Sequence, residues 1–310
     1  MTGMTVKVDA HAKINLVLDV LSKRGDGLHE LRMIMQTLKL HDTLTIQPAE
    51  SGRIALELGA GSTVKDLPMD ESNLVYRAAE LMLRRYGIDG GVRVCLEKRI
   101  PVAAGLAGGS ADCAAALIGL NSLFGLGLSE ADLLKLGLEL GADVPFCVLG
   151  GTCLAEGAGE RLTRLGGPHP PAHVVLVRPV IPVSTASVFA DYDAGARSDP
   201  DAAGGLKDLN KIIAGIAGGD LDAICAGTSN ALEGVTARRH PVISEIKSLL
   251  LSGGAKCAQM SGSGPTVFAY FDDIGAARRA MDSAERKYQG SAEVFLTGIE
   301  QARGQRLEAR

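Results

Sequence analysis

Between Pro101 and Leu117 the chain passes through a glycine-rich turn directly into an alanine-rich segment, Pro101-Val-Ala-Ala-Gly105-Leu106-Ala107-Gly108-Gly109-Ser110-Ala-Asp112-Cys-Ala-Ala-Ala-Leu117. Alanine and leucine favour helix, so a helix is expected from Ser110 to Phe124. Glycine lets the preceding turn take positive φ and lets its backbone approach a ligand closely. The first helical turn carries unpaired N–H groups at the positive end of the helix dipole. Together these features suit an anion, most often a phosphate. A flexible loop capped by Ser110 has the same composition, and shape alone does not separate the two. Spacing excludes two better-known phosphate loops. The chain has no Gly-Lys pair, which a P-loop requires, and no G-x-G-x-x-G dinucleotide fingerprint.

The 310 residues suffice for one large or two medium domains. Hydrophobic residues are 46% and charged residues 22%, as in an ordinary globular protein. Aromatics are only 4% and tryptophan is absent, so Leu, Ile, Val and Ala must build the core. The net charge of −4, without a basic run, argues against a nucleic-acid partner. No apolar stretch reaches the ~18 residues of a membrane span, and Met1 to Ala10 lacks the apolar core of a signal peptide. The six cysteines form no C-x-x-C pair and are expected to be reduced and mostly buried. The six histidines lack metal-ligand spacing. A cytoplasmic protein is the expectation.

From Val6 to Val20 the even positions are apolar and Asp9, His11, Lys13 and Asn15 are polar. This alternation predicts a strand with one wet face shared by Lys13 and Asn15. Further strands are expected at Leu38–Ile46, Ile54–Leu58, Val92–Glu97 and around Val174–Val183. Helices are expected over Asn73–Tyr86 and, after a capping sequence at Ser129-Glu-Ala-Asp132, through Leu140. The break Gly166-Gly-Pro-His-Pro-Pro171 divides the chain into 1–167 and 168–310. Ser198–Gly205 reads as an exposed loop, followed by two helices and then a glycine turn with a β-rich run over Gln259–Phe271. Helix and strand interleave without a βαβ repeat, so the class is α+β with two domains.

Phosphate chemistry needs a placed nucleophile and countercharge. Asp143, in Gly141-Ala-Asp143-Val-Pro145, offers a carboxylate that can accept a hydroxyl proton, or simply an Asx-turn or helix cap. Lys13 can neutralise developing charge, or be an ordinary surface lysine. Ser261-Gly262-Ser263-Gly264 can bring N–H groups to a ligand, or serve as a tight connection before an edge strand. Gly25-Asp26-Gly27-Leu28-His29-Glu30 reads first as a β-turn, with His29 as a ligand contact or a turn-end histidine. Phe189 suits a core position or a stacking partner.

The loop resembles that of the superfamily containing galactokinase, homoserine kinase, mevalonate kinase and phosphomevalonate kinase, P-x-x-x-G-L-x-G-S/G-S-A/S, which it matches at Pro101, Gly105, Leu106, Gly108, Gly109, Ser110 and Ala111. Ala12-Lys13-Ile14-Asn15-Leu16, then Arg24-Gly-Asp26-Gly27-Leu28-His29-Glu30-Leu31, this loop, Gly141-Ala-Asp143-Val-Pro145-Phe146 and Ser261-Gly-Ser-Gly264 follow in family order. Over nearly the whole chain they resemble the 4-diphosphocytidyl-2-C-methyl-D-erythritol kinase family of non-mevalonate isoprenoid synthesis. The resemblance implies a domain like the second domain of ribosomal protein S5 followed by a ferredoxin-like domain. It implies transfer of the γ-phosphoryl of ATP, with Mg²⁺ but no dedicated metal site, to the 2-hydroxyl of a cytidine diphosphate-linked methylerythritol, by a monomer or weak homodimer. It implies Asp143 as base and Lys13 as its charged partner. It implies Pro101, Gly105, Leu106, Ala107, Gly108, Gly109 and Ser110 as the phosphate loop, with Asn73 near adenine. Asn15, Leu28, His29, Phe189, Ser261, Gly262 and Ser263 would then lie on the substrate side. Two other readings remain open: a different alcohol kinase of the superfamily, and a catalytically silent ATP-binding protein.

Leu28 departs from the family, which carries tyrosine there. An aliphatic side chain lacks the ring face that is worth ~1–3 kcal/mol in base stacking. The expected outcome is that Leu28→Tyr lowers the Kd for the cytidine-linked substrate, measured by calorimetry; an unchanged Kd would remove the stacking argument.

Overall fold

The computed structural model describes residues 4–50, 52–168, 170, 172–195, 209–301 and 306–309. The loop expected at 198–205 lies outside the described residues. Two long antiparallel strands, β1 (Val6–Lys23) and β2 (His29–Ala49), form the spine of an eight-stranded sheet. The Arg24–Leu28 turn joins them, closed by the Arg24 N–H donating to the Leu28 carbonyl at 2.7 Å. The far half of β2 pairs with β4 (Gly91–Glu97), which pairs in parallel with β3 (Ile54–Leu58). The near half of β2 pairs with β5 (Thr152–Gly157), and β5 pairs with β6 (Arg161–Arg164). Two short strands from late in the chain, β8 (Ser229–Asn230) and β12 (Arg306–Ala309), complete the sheet along β1.

Helix α1 (Leu74–Arg85) has Asn73 as N-cap and Tyr86 as C-cap, at the expected ends. Helix α2 (Gly108–Leu123) starts two residues before the expected Ser110, with Ala107 rather than a serine at its N-cap. Helix α3 (Glu130–Leu140) opens on a full capping box between Ser129 and Asp132, and α4 (Val144–Leu149) follows at once. Because α2 packs against α1, α3, α4, β1 and β2, its small side chains are buried on nearly every side: Ala111, Cys113, Ala114, Ala115, Ala116 and Leu117.

The second sheet is antiparallel, in the order β11 (Ala292–Gly298), β7 (His173–Pro179), β10 (Val267–Phe271), β9 (Cys257–Met260). Thus β10 is an inner strand, not an edge. Helices α9 (Val242–Ser252) and α10 (Ile274–Lys287) pack on this sheet, as a ferredoxin-like arrangement requires. Val175, Val177, Val267 and Ala269 share a cluster with Ile246, Leu250 and Ala277. The alternate residues Val174, Leu176, Phe268 and Tyr270 join Ala12, Ile14, Leu16, Ile34 and Leu38 of the first sheet. With both faces covered, β7 is apolar at every position from Val174 to Val177.

This second cluster takes the apolar face of β1 at Ala12, Ile14 and Leu16, and the opposite face at Lys13 and Asn15 is not wet either. Lys7 and Asp9 are accessible to solvent, but Lys13 is only 5% exposed and Asn15 only 1%. The alternation is right; the polar face is covered by the rest of the chain. Between Gly195 and Cys257 the described residues hold α6 (Leu209–Gly218), α7 (Leu221–Gly227), α8 (Glu233–Arg239) and α9, four helices where two are expected. Gly219 at φ +69° and the Asp220 cap divide the first pair, and Pro241 divides the second. The remaining helix, α5 (Thr185–Gly195), follows β7. None of the six cysteines is in a disulfide, and five of them are buried. No helix among the described residues is long and apolar enough to cross a membrane.

Helix α2 lies close against the sheet at Gly119. A Cβ there would lie 2.4 Å from Ile46 Cδ1 and 3.0 Å from Val8 Cγ2. Overpacking of this kind costs about 1–3 kcal/mol, so Gly119→Ala is expected to lower the urea midpoint. Ile46→Val deletes the offending methyl, so the double variant should lose less stability than the two single losses added together.

Candidate active site

The two glycine turns interlock. Gly105 has φ +74°, and a Cβ on it would lie 2.3 Å from the Ser261 carbonyl oxygen and 3.1 Å from that of Gly264. Only glycine fits this contact. The Ser261 hydroxyl donates to the Gly105 carbonyl at 2.8 Å and accepts from the Asn15 N–H at 3.3 Å. Ser261 was expected to touch substrate, but it is fully buried and its hydroxyl is committed to these bonds. It holds the turn instead. The Asn230 side-chain amide donates to the Met260 and Gly262 carbonyls, at 2.7 and 2.8 Å, and steadies the same turn from β8.

The Lys13 N–H donates to the Leu106 carbonyl at 3.1 Å, so β1 is tied to the glycine loop. The Lys13 ammonium donates to Asn15 Oδ1 at 2.7 Å and lies 3.7 Å from Asp143 Oδ2. Asp143 occupies the N-cap position of α4, yet its side chain caps nothing. Its carboxylate is 37% exposed against 6% for the Lys13 side chain. The pair therefore combines a buried cation with an accessible carboxylate, which suits removal of a proton from an incoming hydroxyl beside a fixed positive charge.

A cavity of about 370 Å³ is lined by Leu67, Pro68, Asn73, Lys98 and the segments 101–105 and 107–110. Ala103 and Ala107 adopt φ of +51° and +54°, a strained left-handed conformation for alanine. The Ala107 cap has no side-chain acceptor for the first amides of α2. A Cβ on Gly109 would meet nothing nearer than Leu74 Cδ1 at 3.9 Å, so the open space there belongs to the cavity. Asn73 lines the cavity, and its side-chain Oδ1 accepts from the Val75 N–H while Nδ2 donates to the Pro68 carbonyl.

Sequence reasoning missed the support beneath this loop. Lys98 is 2% exposed and its ammonium donates to Asp42 and to Asp112, the latter at 2.8 Å. Asp42 also accepts the Arg99 and Ile100 N–H groups. Burial pushes the Asp112 carboxyl well up, against the pull of Lys98. Burial opposes the charge on Lys98, but Asp112 and Asp42 outweigh it and hold its pKa above the usual lysine value. The available signal was the alternation of β4, in which Val92, Val94 and Leu96 point inward and Lys98 comes next in phase.

Of the other expected residues, His29, Phe189 and Ser263 meet along one face of α5. Thr185, Phe189 and Asp193 are spaced four apart and so share a face. The hydroxyls of Thr185 and Ser263 are 2.8 Å apart. The Phe189 ring stacks on His29 with centroids 4.6 Å apart and planes at 24°. His29 Nε2 lies 2.9 Å from Asp193, whose second oxygen accepts from Lys23 at 2.7 Å. The hydrogen bonds from Lys23 and His29 hold the Asp193 carboxyl below the usual aspartate value. Leu28, one residue away, is 53% exposed and joins neither ring.

Residues 73–151 match the model of the GHMP kinases N terminal domain, and residues 212–290 match that of the GHMP kinases C terminal domain. The chain is 48% identical over 294 residues to a 4-diphosphocytidyl-2-C-methyl-D-erythritol kinase of Pelotomaculum thermopropionicum, covering 95% of this chain and 98% of the relative. A crystal structure of 4-(cytidine 5'-diphospho)-2C-methyl-D-erythritol kinase is similar over 96% of this chain and 100% of its own, with a TM-score of 0.78 and 33% identity. A homoserine kinase structure from Cytophaga hutchinsonii, at 21% identity and a TM-score of 0.75 over 98% of this chain and 97% of its own, shares the fold.

Removing the Lys98 charge while keeping its length leaves two buried carboxylates without their cation. Breaking a buried ion pair from one side costs about 3–5 kcal/mol. Lys98→Met is therefore expected to lose about that much stability in urea unfolding, and a change below about 1 kcal/mol would mean that the network is solvated.

Proposed function

The chain belongs to the 4-diphosphocytidyl-2-C-methyl-D-erythritol kinases of the GHMP kinase family and is an ATP-dependent phosphotransferase; on that premise we propose that Asp143 and Lys13 carry the transfer of the γ-phosphoryl group to the 2-hydroxyl of the cytidine diphosphate-linked methylerythritol. The observation behind this assignment is the 3.7 Å pair of an accessible carboxylate and a buried ammonium, joined to the glycine loop through the Lys13 N–H. Asp143 orients the hydroxyl and takes its proton as the O–P bond forms. In a loose transition state this transfer can come late, since placement matters more than full deprotonation. Lys13, held by Asn15, lowers the cost of negative charge between donor and acceptor. The N–H groups of Gly108, Gly109 and Ser110 face phosphate oxygens at the start of α2.

Among the described residues no group of three or more His, Cys, Asp or Glu side chains could hold a metal ion. Mg²⁺ carried by the nucleotide binds mainly through phosphate oxygens, water and one or two protein oxygens. The Ser110 hydroxyl, which lines the cavity, is the side chain we assign to it. The ion would neutralise charge on the β- and γ-phosphates.

We assign residues 1–167 to ATP and 168–310 mainly to the substrate side. The lining of the cavity, drawn from residues between 67 and 112, supports the first assignment. The acceptor side would use Asn15, Leu28 and His29 with α5 and the amides of Gly262 and Ser263. A cytoplasmic monomer or weak homodimer is the working state we propose, and the unbridged thiols favour a reducing compartment.

The test is ATP-dependent phosphorylation of 4-diphosphocytidyl-2-C-methyl-D-erythritol by the native chain and by Asp143→Asn. Native turnover is expected, with kcat lowered about a hundred- to ten-thousand-fold in the variant and the urea midpoint retained. Native-like turnover by Asp143→Asn would refute the base. ATP binding without any turnover in the native chain would refute the substrate.

A further inference from the structure

Asp193 has no role in the reaction as derived so far, yet both its oxygens are engaged beside the expected cytidine contacts. Oδ2 accepts from Lys23 Nζ at 2.7 Å, and Oδ1 lies 2.9 Å from His29 Nε2. An ionised carboxylate can only accept, so Nε2 must carry a proton. In the neutral ring the other nitrogen, Nδ1, then holds a lone pair. Nδ1 has no hydrogen-bond partner among the described residues. Stacking on Phe189 at 4.6 Å restrains the ring.

We propose that Asp193 is a positioning residue that locks His29 in the Nε2–H tautomer, so that Nδ1 accepts a hydrogen bond from an exocyclic amino group on the substrate's base and rejects a base with a carbonyl there. This rests on the reading of His29 as a cytidine contact. Cytosine carries an amino donor at the position where uracil carries a carbonyl acceptor. An acceptor set against an acceptor leaves two desolvated lone pairs unpaired, and sites built on hydrogen bonds discriminate strongly on that basis.

Lys23 decides what the near-isosteric variant does. Its ammonium only donates, so in Asp193→Asn the amide oxygen stays on the Lys23 side and the amide NH₂ turns to His29. That donor requires a lone pair on Nε2, which sends the ring proton to Nδ1. The variant changes hardly any shape and reverses the polarity that the base meets.

The experiment compares kcat/KM for the cytidine-linked substrate and its uridine-linked counterpart in one mildly alkaline buffer. The native chain is expected to prefer the cytidine substrate, and Asp193→Asn to lose at least about tenfold of that preference. The loss should fall in KM for the substrate, with KM for ATP unchanged. Cytidine turnover with the same preference in both proteins would overturn the proposal and leave the kinase reading intact. The ¹⁵N shifts of His29 in the native full chain, assigned by loss of the signal in His29→Gln, give a readout that needs no turnover. A protonated Nε2 with a bare Nδ1 is expected. A proton on Nδ1 would overturn the proposal even if no substrate were phosphorylated.

Discussion

The contact between Gly105 and the Ser261–Gly264 turn is the constraint on which the rest of the site depends. It joins residues 156 positions apart through one serine hydroxyl, which donates to the Gly105 carbonyl and accepts from the Asn15 N–H. Through Asn15 the same chain of bonds reaches the Lys13 ammonium, and through Lys13 it reaches Asp143. Without that hydroxyl, a buried N–H and a buried carbonyl would each lose a partner, at about 1–3 kcal/mol. The glycine at 105 is required on both counts that matter: a positive φ, and no space for a Cβ. Gly262 is different. Its nearest neighbours to an added Cβ are Asn15 Oδ1 and the Gly105 carbonyl, both at 3.6 Å, so only its φ of +61° favours glycine.

Below the loop, the Lys98–Asp42–Asp112 network provides rigidity of another kind. Three charges buried together are seldom a net source of stability, because desolvation offsets their attraction. What they supply is a fixed corner. Asp42 gathers the end of β4 through the Arg99 and Ile100 N–H groups, and Asp112 anchors the first turn of α2. The segment between these anchors contains the two left-handed alanines, each costing about 1–2 kcal/mol relative to ordinary backbone. A strained loop persists only where its surroundings over-determine it. Here both ends are tied by charge-assisted bonds, and its middle rests on the Ser261 turn.

How much of this was legible in the sequence follows from the range of each interaction. Helices α1 and α3 could be bounded because their caps are local: Asn73 and Ser129 each bond within three residues. The alternation of β1 correctly put Lys13 and Asn15 on one face. It could not show that Asp143 and the Gly262 turn meet the Lys13 and Asn15 side chains on that face, so a buried pair read as a wet one. Lys98 was missed for the same reason, since a lysine in phase with Val92, Val94 and Leu96 is reasonable only when two aspartates, one 56 positions earlier and one 14 later, are known to meet it. The divisions between α6 and α7 and between α8 and α9 lay in plain view as Gly-Gly-Asp and His-Pro, but such breakers are easily absorbed into longer helical patterns.

The acceptor side shows what a single departure from a family pattern does and does not change. Leu28 projects into solvent from the hairpin turn, its N–H spent on Asp26 Oδ1, and it adds no flat surface to the site. The aromatic surfaces that remain here are Phe189 and His29, and these already stack on each other. A pyrimidine arriving on this side therefore meets either the edge of that pair or one outer face, and gains less from stacking than between two rings. Recognition must then lean more on polar contacts whose direction is fixed in advance. On the proposed assignment that requirement falls on His29, whose ring stacks on Phe189 and meets Asp193, and on α5, which carries both of these together with the Thr185 contact to Ser263. A helix face with residues four apart thus ties the His29–Phe189 stack to the turn that supports the Lys13–Asp143 pair.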